Sequence, residues 1–172
     1  YSLVSFKSAY LKAHYPAQFM AATISNQGGF YVSNVENYLN EARRMGVVIL
    51  PPDINLSDYE YKGSQMEIRT GLKQLKGVTQ KTIKKIISQR ELGDYTSLED
   101  FLNRVGPAFH EAKILVKARC FSSIRSLDKD KLNNSQLMWM VYEYYAKKRG
   151  TLDPSKTLPV LGQKIQEFPK EK

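Results

Sequence analysis

Between Leu72 and Ile87 the sequence runs Leu-Lys-Gln-Leu-Lys-Gly-Val-Thr-Gln-Lys-Thr-Ile-Lys-Lys-Ile-Ile, and this stretch limits the fold more than any other. Leu72 to Leu75 reads as a short helix, Gly77-Val78-Thr79 as a tight turn, and Gln80 to Arg90 as a second helix. Ile83, Ile86 and Ile87 recur at helical spacing, so they share one face. Two helices joined by so short a turn bury such faces against each other.

The rest of the chain repeats the pattern of short helices broken by Gly and Pro. Tyr1 to Ser25 reads as one helix or two, with Pro16 suited to the first turn of a second running from Ala17. Gly28-Gly29 predicts a loop. Val32 to Met45 predicts a helix with Val35, Tyr38, Leu39 and Ala42 on one face, Ser33 or Asn34 as cap and Gly46 as stop. Val47 to Leu50 predicts a buried strand that enters the turn at Pro51-Pro52. Tyr59 to Tyr61 and Met66 to Arg69 flank Gly63-Ser64 and predict a small β-hairpin. Leu98 to Val105, Ala108 to Ala118 and Asn134 to Arg149 predict further helices. Pro154, Pro159, Gly162 and Pro169 predict a loosely structured end. The expected fold class is mainly α. It has a helical segment over 1–58, a hairpin or linker over 59–70, paired helices over 71–125, and a helix with a loose tail over 126–172.

Composition narrows the function classes. The single cysteine, Cys120, allows no intrachain disulfide and no Cys-based zinc site, which suits a reducing cytoplasm. No apolar run approaches the ~20 residues of a membrane-spanning helix, and no signal pattern opens the chain. Tyr1 lies inside what reads as a structured segment, so the chain is expected to be a piece of something longer. The net charge of +9 is unevenly placed. Residues 1–70 carry six basic and six acidic side chains, whereas residues 71–125 carry eleven and five. From Gly71 to Arg90 the bases Lys73, Lys76, Lys81, Lys84, Lys85 and Arg90 meet no acid in sequence. Such a block fits a polyanion, nucleic acid above all, or a solvated helix face.

The turn at Gly77 resembles the helix-hairpin-helix motif, whose usual hairpin is Gly-apolar-Gly. Glycine lets the backbone approach a phosphate and adopt turn dihedrals closed to other residues. Amides at the start of the second helix then point at the anion, helped by the helix dipole. Val78 is expected to pack between the helices, and Lys76, Lys81, Lys84 and Lys85 to surround the contact with charge. The expected DNA-binding set is thus Lys76, Gly77, Val78, Thr79, Lys81, Lys84 and Lys85. No base edge is read, so binding should be independent of sequence and sensitive to salt. Thr79 stands where the motif prefers its second glycine; a β-branched residue resists left-handed dihedrals and should weaken phosphate contact. The competing reading is a helix-turn-helix packing element that never touches DNA. Ala112 to Ile124 reads as a poorer second copy, with Arg119-Cys120 where small residues are expected.

Before the hairpin, Tyr1-Ser2-Leu3-Val4-Ser5-Phe6 and Tyr10-Leu11-Lys12-Ala13-His14-Tyr15-Pro16-Ala17-Gln18-Phe19-Met20 resemble the fingers region of the bacterial C-family DNA polymerases, the polymerase III alpha subunits. Glu41-Ala42-Arg43-Arg44-Met45-Gly46, Leu50-Pro51-Pro52-Asp53-Ile54-Asn55, Ile68 to Val78, Ser97-Leu98-Glu99-Asp100-Phe101 and Lys117-Ala118-Arg119-Cys120-Phe121 continue the resemblance in the same order, to about Ile124. The resemblance implies a DNA-directed DNA polymerase, a nucleotidyltransferase of replication, whose catalytic aspartates and Mg2+ lie upstream in a palm domain. It therefore implies no catalytic residue, no metal and no cofactor in this chain. Asp53 reads as a turn acid. The fingers of that family contact incoming nucleotide and template, for which Tyr1, Ser5, Lys7, Lys12, His14, Arg43 and Arg44 are the candidates here. A packed helix histidine is the alternative for His14, and a solvated face for the two arginines. The partners implied are duplex or primer-template DNA, the sliding clamp and other replisome subunits, with no membrane. Gln163 to Phe168 is a poor match to a clamp-binding peptide, and a nonfunctional tail is its alternative. Two other function classes stay open: a stand-alone helix-hairpin-helix repair module, and a protein-interaction segment whose basic helices pack on an acidic partner.

Overall fold

Helices dominate the computed structural model, which describes residues 1–26, 34–124 and 133–150. In order these are α1 (Ser2–His14), α2 (Pro16–Asn26), α3 (Asn34–Arg44), the strands β1 (Val48–Leu50), β2 (Lys62–Ser64) and β3 (Glu67–Arg69), a 3-10 turn over Leu72–Gln74, then α4 (Gln80–Arg90), α5 (Leu98–Val105), α6 (Phe109–Lys117) and α7 (Asn134–Lys148). The mainly α expectation is met, with one small mixed sheet. The Gly28-Gly29 loop, the capping at Ser33 or Asn34, and everything expected after Gly150 lie outside the described residues.

Pro16 opens α2, where its missing N–H costs nothing and its fixed φ suits a first turn. Gly46, at φ +81, follows α3 as expected of a stop. The sheet order is β1-β3-β2, with β1 parallel to β3 and β2 antiparallel to it. Two sequence expectations need correcting here. The hairpin turns at Gln65-Met66, and Gly63-Ser64 belong to β2. Gly63 is required by packing: a Cβ there would stand 2.3 Å from the backbone oxygen of Ala17, so glycine lets α2 lie directly on the strand. The β1 strand is also less buried than its β-branched run implies. It is an edge strand with Val48 exposed, while the neighbouring Val47 is the residue that packs inside.

The apolar side chains form two clusters. The smaller joins Ala17, Met20 and Ala21 of α2 to Ala42, Val47 and Ile68. The larger is built on α4, α5 and α6, with Ile54 and Leu72 entering from before the hairpin and Val141 from α7. Helix α5 shows why it forms. Ser97 caps it by accepting from the Asp100 N–H, and Gly106 ends it in the left-handed region. Leu98, Phe101, Leu102 and Val105, one helix stripe, are all buried between these ends. The rings of Tyr95 and Phe121 meet Phe101 edge-on at 5.1 and 5.2 Å between centroids.

Candidate nucleic-acid interface

Leu72 closes the 3-10 turn by accepting from the Leu75 N–H at 3.1 Å, and the Val78 N–H returns to Leu75 at 3.2 Å. Gly77 then takes φ +90. Glycine is demanded by this backbone conformation; a Cβ there would also come within 2.7 Å of Ile114 Cδ1 of α6, the tip of a side chain that can turn aside. Val78 is half-buried against the larger core.

Thr79 departs from its expectation. Its backbone is extended, φ −74 and ψ 150, where a β-branched residue is at ease, and the hairpin asks for no second left-handed residue. Thr79 is the N-cap of α4: its hydroxyl oxygen accepts from the Thr82 N–H at 3.3 Å. The amide of Thr79 does not face solvent but donates to Glu111 Oε1 of α6 at 2.8 Å. Glu111 Oε2 accepts from the Thr82 hydroxyl and the Ala108 N–H, both at 2.9 Å. Glu111 is only 2% exposed. Burial pushes its carboxyl up, but the hydrogen bonds from Thr79, Ala108 and Thr82 outweigh it and hold the group below the usual glutamate range. The stabilisation from this carboxylate is therefore complete above the ordinary glutamate value and is lost as pH falls through the depressed one.

The amides of Gly77, Gln80 and Lys81 keep no acceptor among the described residues. Thr82, Ile83 and Ile86 form the inner face of α4, while Lys81, Lys84 and Lys85 share the exposed one. The unopposed basic block is smaller than the sequence implies. Lys73 pairs with Glu60 at 3.1 Å. Arg90 pairs with Asp58 at 3.1 Å and donates to the carbonyls of Ile54 and Ser57. Among the described residues Lys76, Lys81, Lys84 and Lys85 make no ion pair.

The other candidates do not gather in one place. Helical spacing puts Tyr1, Ser5 and Lys12 on one side of α1 and Lys7 with His14 on another. Lys12 is tied to Glu41 of α3 at 3.2 Å. His14 is exposed, against the packed alternative, and stacks on Tyr10 at 4.2 Å between ring centroids. Arg43 donates to Asn40 at 2.7 Å, and Arg44 is exposed. In the second copy, Arg119 takes φ +57, the conformation that glycine fills without strain. That turn keeps its shape at a cost of roughly 1–2 kcal/mol for a non-glycine residue.

Sequence reading missed the knot that holds the hairpin region to the sheet. Asp53 is fully buried and accepts from the Asn55 N–H at 2.8 Å, the Ser123 N–H at 2.8 Å and the Ser122 hydroxyl at 2.9 Å, with a further short bond from the Ser123 hydroxyl. Ile54 N–H donates to the Cys120 carbonyl, and Asn55 makes a two-way amide pair with the Tyr95 backbone. The turn-acid reading of Asp53 was too local, because its main partners are about seventy residues away. The signal available was a buried-looking Pro-Pro-Asp-Ile-Asn run, but nothing in the sequence pairs it with Ser122 and Ser123. Cys120, beside this knot, has its thiol pushed up to about 12 by burial and the Asp53 charge, which makes it a packing residue.

No helix among the described residues is long and apolar enough to cross a membrane. Nor do any His, Cys, Asp or Glu side chains among them group to hold a metal ion. The sequence matches the helix-hairpin-helix motif family over residues 46–132, just over half of the chain. It is 38% identical over 129 residues to the DNA polymerase III subunit alpha of Neisseria meningitidis, covering 72% of this chain and 11% of that protein. The Thermus aquaticus subunit alpha is 42% identical over 106 residues, 61% of this chain and 9% of its own length. That of Borreliella burgdorferi is 36% identical over 135 residues, 76% and 11%. The chain thus spans about a tenth of the length of the curated relatives it matches.

Proposed function

The chain belongs to the helix-hairpin-helix family and is homologous to a region of the DNA polymerase III alpha subunit, and from that premise we propose that it holds DNA by its sugar-phosphate backbone within a bacterial replicative polymerase. One observation carries the reading. The Gly77 turn and the first turns of α4 carry, within ten residues, exposed amides and four exposed lysines that have no partner among the described residues. Lys76, Lys81, Lys84 and Lys85 neutralise phosphates, and the amides of Gly77, Gln80 and Lys81 supply the directional contacts. Val78 and Thr79 shape the hairpin, and Thr79 contributes its cap and no free amide. No base edge is read.

The parent's nucleotidyl transfer, its Mg2+ and its clamp and replisome contacts belong to the wider subunit, and no step of that chemistry runs through the residues described here. Tyr1, Ser5, Lys7, Lys12, His14, Arg43 and Arg44 enter only as secondary contacts to template or nucleotide. A stand-alone repair module is disfavoured, because the similarity to the polymerase subunits extends over more of the chain than the motif family does.

Charge reversal tests the reading. Changing Lys81, Lys84 and Lys85 together to Glu should weaken duplex binding at least about a hundredfold, alike for every sequence, measured by fluorescence anisotropy. Unchanged affinity removes the hairpin as the binding site, and loss confined to certain sequences replaces backbone holding with base readout.

A further inference from the structure

One backbone amide of the hairpin already holds an anion, and that anion is part of the protein. Glu111 reaches from α6 to the N-terminus of α4, where its two oxygens take the Thr79 amide, the Thr82 hydroxyl and the Ala108 amide. Of these donors the Thr79 amide lies at the N-terminus of α4, where it would otherwise be available to an incoming phosphate at the end of a helix dipole; the Ala108 amide belongs to the N-terminus of α6, and the Thr82 hydroxyl is on the buried face of α4. The charge is buried and sits within one helical turn of the amides that stay free.

We propose that Glu111 is an internal counter-anion that tunes the hairpin's hold on DNA downward, a positioning residue for binding in addition to its packing role. The inference rests on the DNA reading above. Glu111 pins the Thr79 amide inward and offsets part of the positive end of α4. A phosphate is left with the Gly77, Gln80 and Lys81 amides and the flanking lysines. The grip is therefore largely electrostatic and loose, which suits a surface past which the duplex must slide. The missing second glycine is not what weakens the contact at Thr79; the carboxylate on its amide is.

Glu111→Gln keeps the size of the side chain and an acceptor for the Thr79 amide while removing the charge; its amide nitrogen can donate to the Thr82 hydroxyl but leaves the Ala108 N–H without its acceptor, which is why folding is checked. In the full chain, with folding checked by circular dichroism, this variant should bind a random-sequence duplex about three- to tenfold more tightly than wild type at low salt. A folded variant that binds no more tightly overturns the inference and leaves the DNA reading standing. A wild type that holds no duplex overturns both. Amide titration of the wild-type chain gives a readout independent of the variant's folding. On adding a short duplex, the Gln80 and Lys81 N–H resonances should shift while Thr79, occupied by Glu111, stays in place. A Thr79 resonance that shifts as far as theirs contradicts the proposal.

Discussion

Helices α1 and α5 are each a clear turn-by-turn helix in sequence, yet one buries nothing and the other buries a full stripe. Along α1 the apolar side chains Leu3, Val4, Phe6 and Tyr10 are exposed, and no residue of the helix is buried. In α5, Leu98, Phe101, Leu102 and Val105 all lie in the larger core. The charge distribution follows the same division, with the neutral first seventy residues set against the basic stretch from 71 to 125. The difference teaches that the hairpin region, to which the DNA contact is proposed to belong, is held by its own core and by the Asp53 knot. Helix α1 is joined to the remainder chiefly through Lys12–Glu41 and its neighbour α2.

The sharpest way to break that contrast is a pair of truncations. Phe101→Ala should cost about 3–5 kcal/mol, because a buried ring leaves a cavity lined by Tyr95 and Phe121. Leu3→Ala should change stability by less than about 0.5 kcal/mol. Urea denaturation of the two variants reads both, and a comparable loss from Leu3→Ala would erase the distinction between the regions. The knot sharpens the comparison at a smaller magnitude. Asp53→Asn replaces a charged acceptor of several bonds with an amide that puts a donor against the Ser122 and Ser123 donors, and should cost roughly 1.5–3 kcal/mol. A thermal melt of Asp53→Asn indistinguishable from wild type would show that the larger core alone holds the Pro51–Asn55 loop.

Most of the helical frame was legible because local signals agreed with one another. The expected bounds Gln80 to Arg90 and Leu98 to Val105 are those of α4 and α5, and the structure shows Thr79 and Ser97 capping them and Gly106 ending α5. The β-hairpin turns later than the sequence predicts because Gly63 looks like a turn glycine, whereas the demand it meets comes from Ala17, more than forty residues away. The same limit applies at the hairpin. A Thr just before an apolar-periodic helix is an N-cap signal, and it was available at Thr79. A Glu three residues after Ala108 was also a readable half of a capping box. That this Glu would reach the Thr79 amide was not readable, because it depends on how α6 packs under the turn. Long-range polar partners of this kind, at Glu111 and Asp53 alike, leave no periodicity behind.

Whether the exposed face of α4 meets phosphates is measured directly by the salt dependence of duplex binding by the wild-type chain. Four lysines engaged with the backbone predict a plot of log affinity against log salt with a slope of about −3 to −4, between roughly 50 and 200 mM. A flat plot, or affinity that rises with salt, would contradict it.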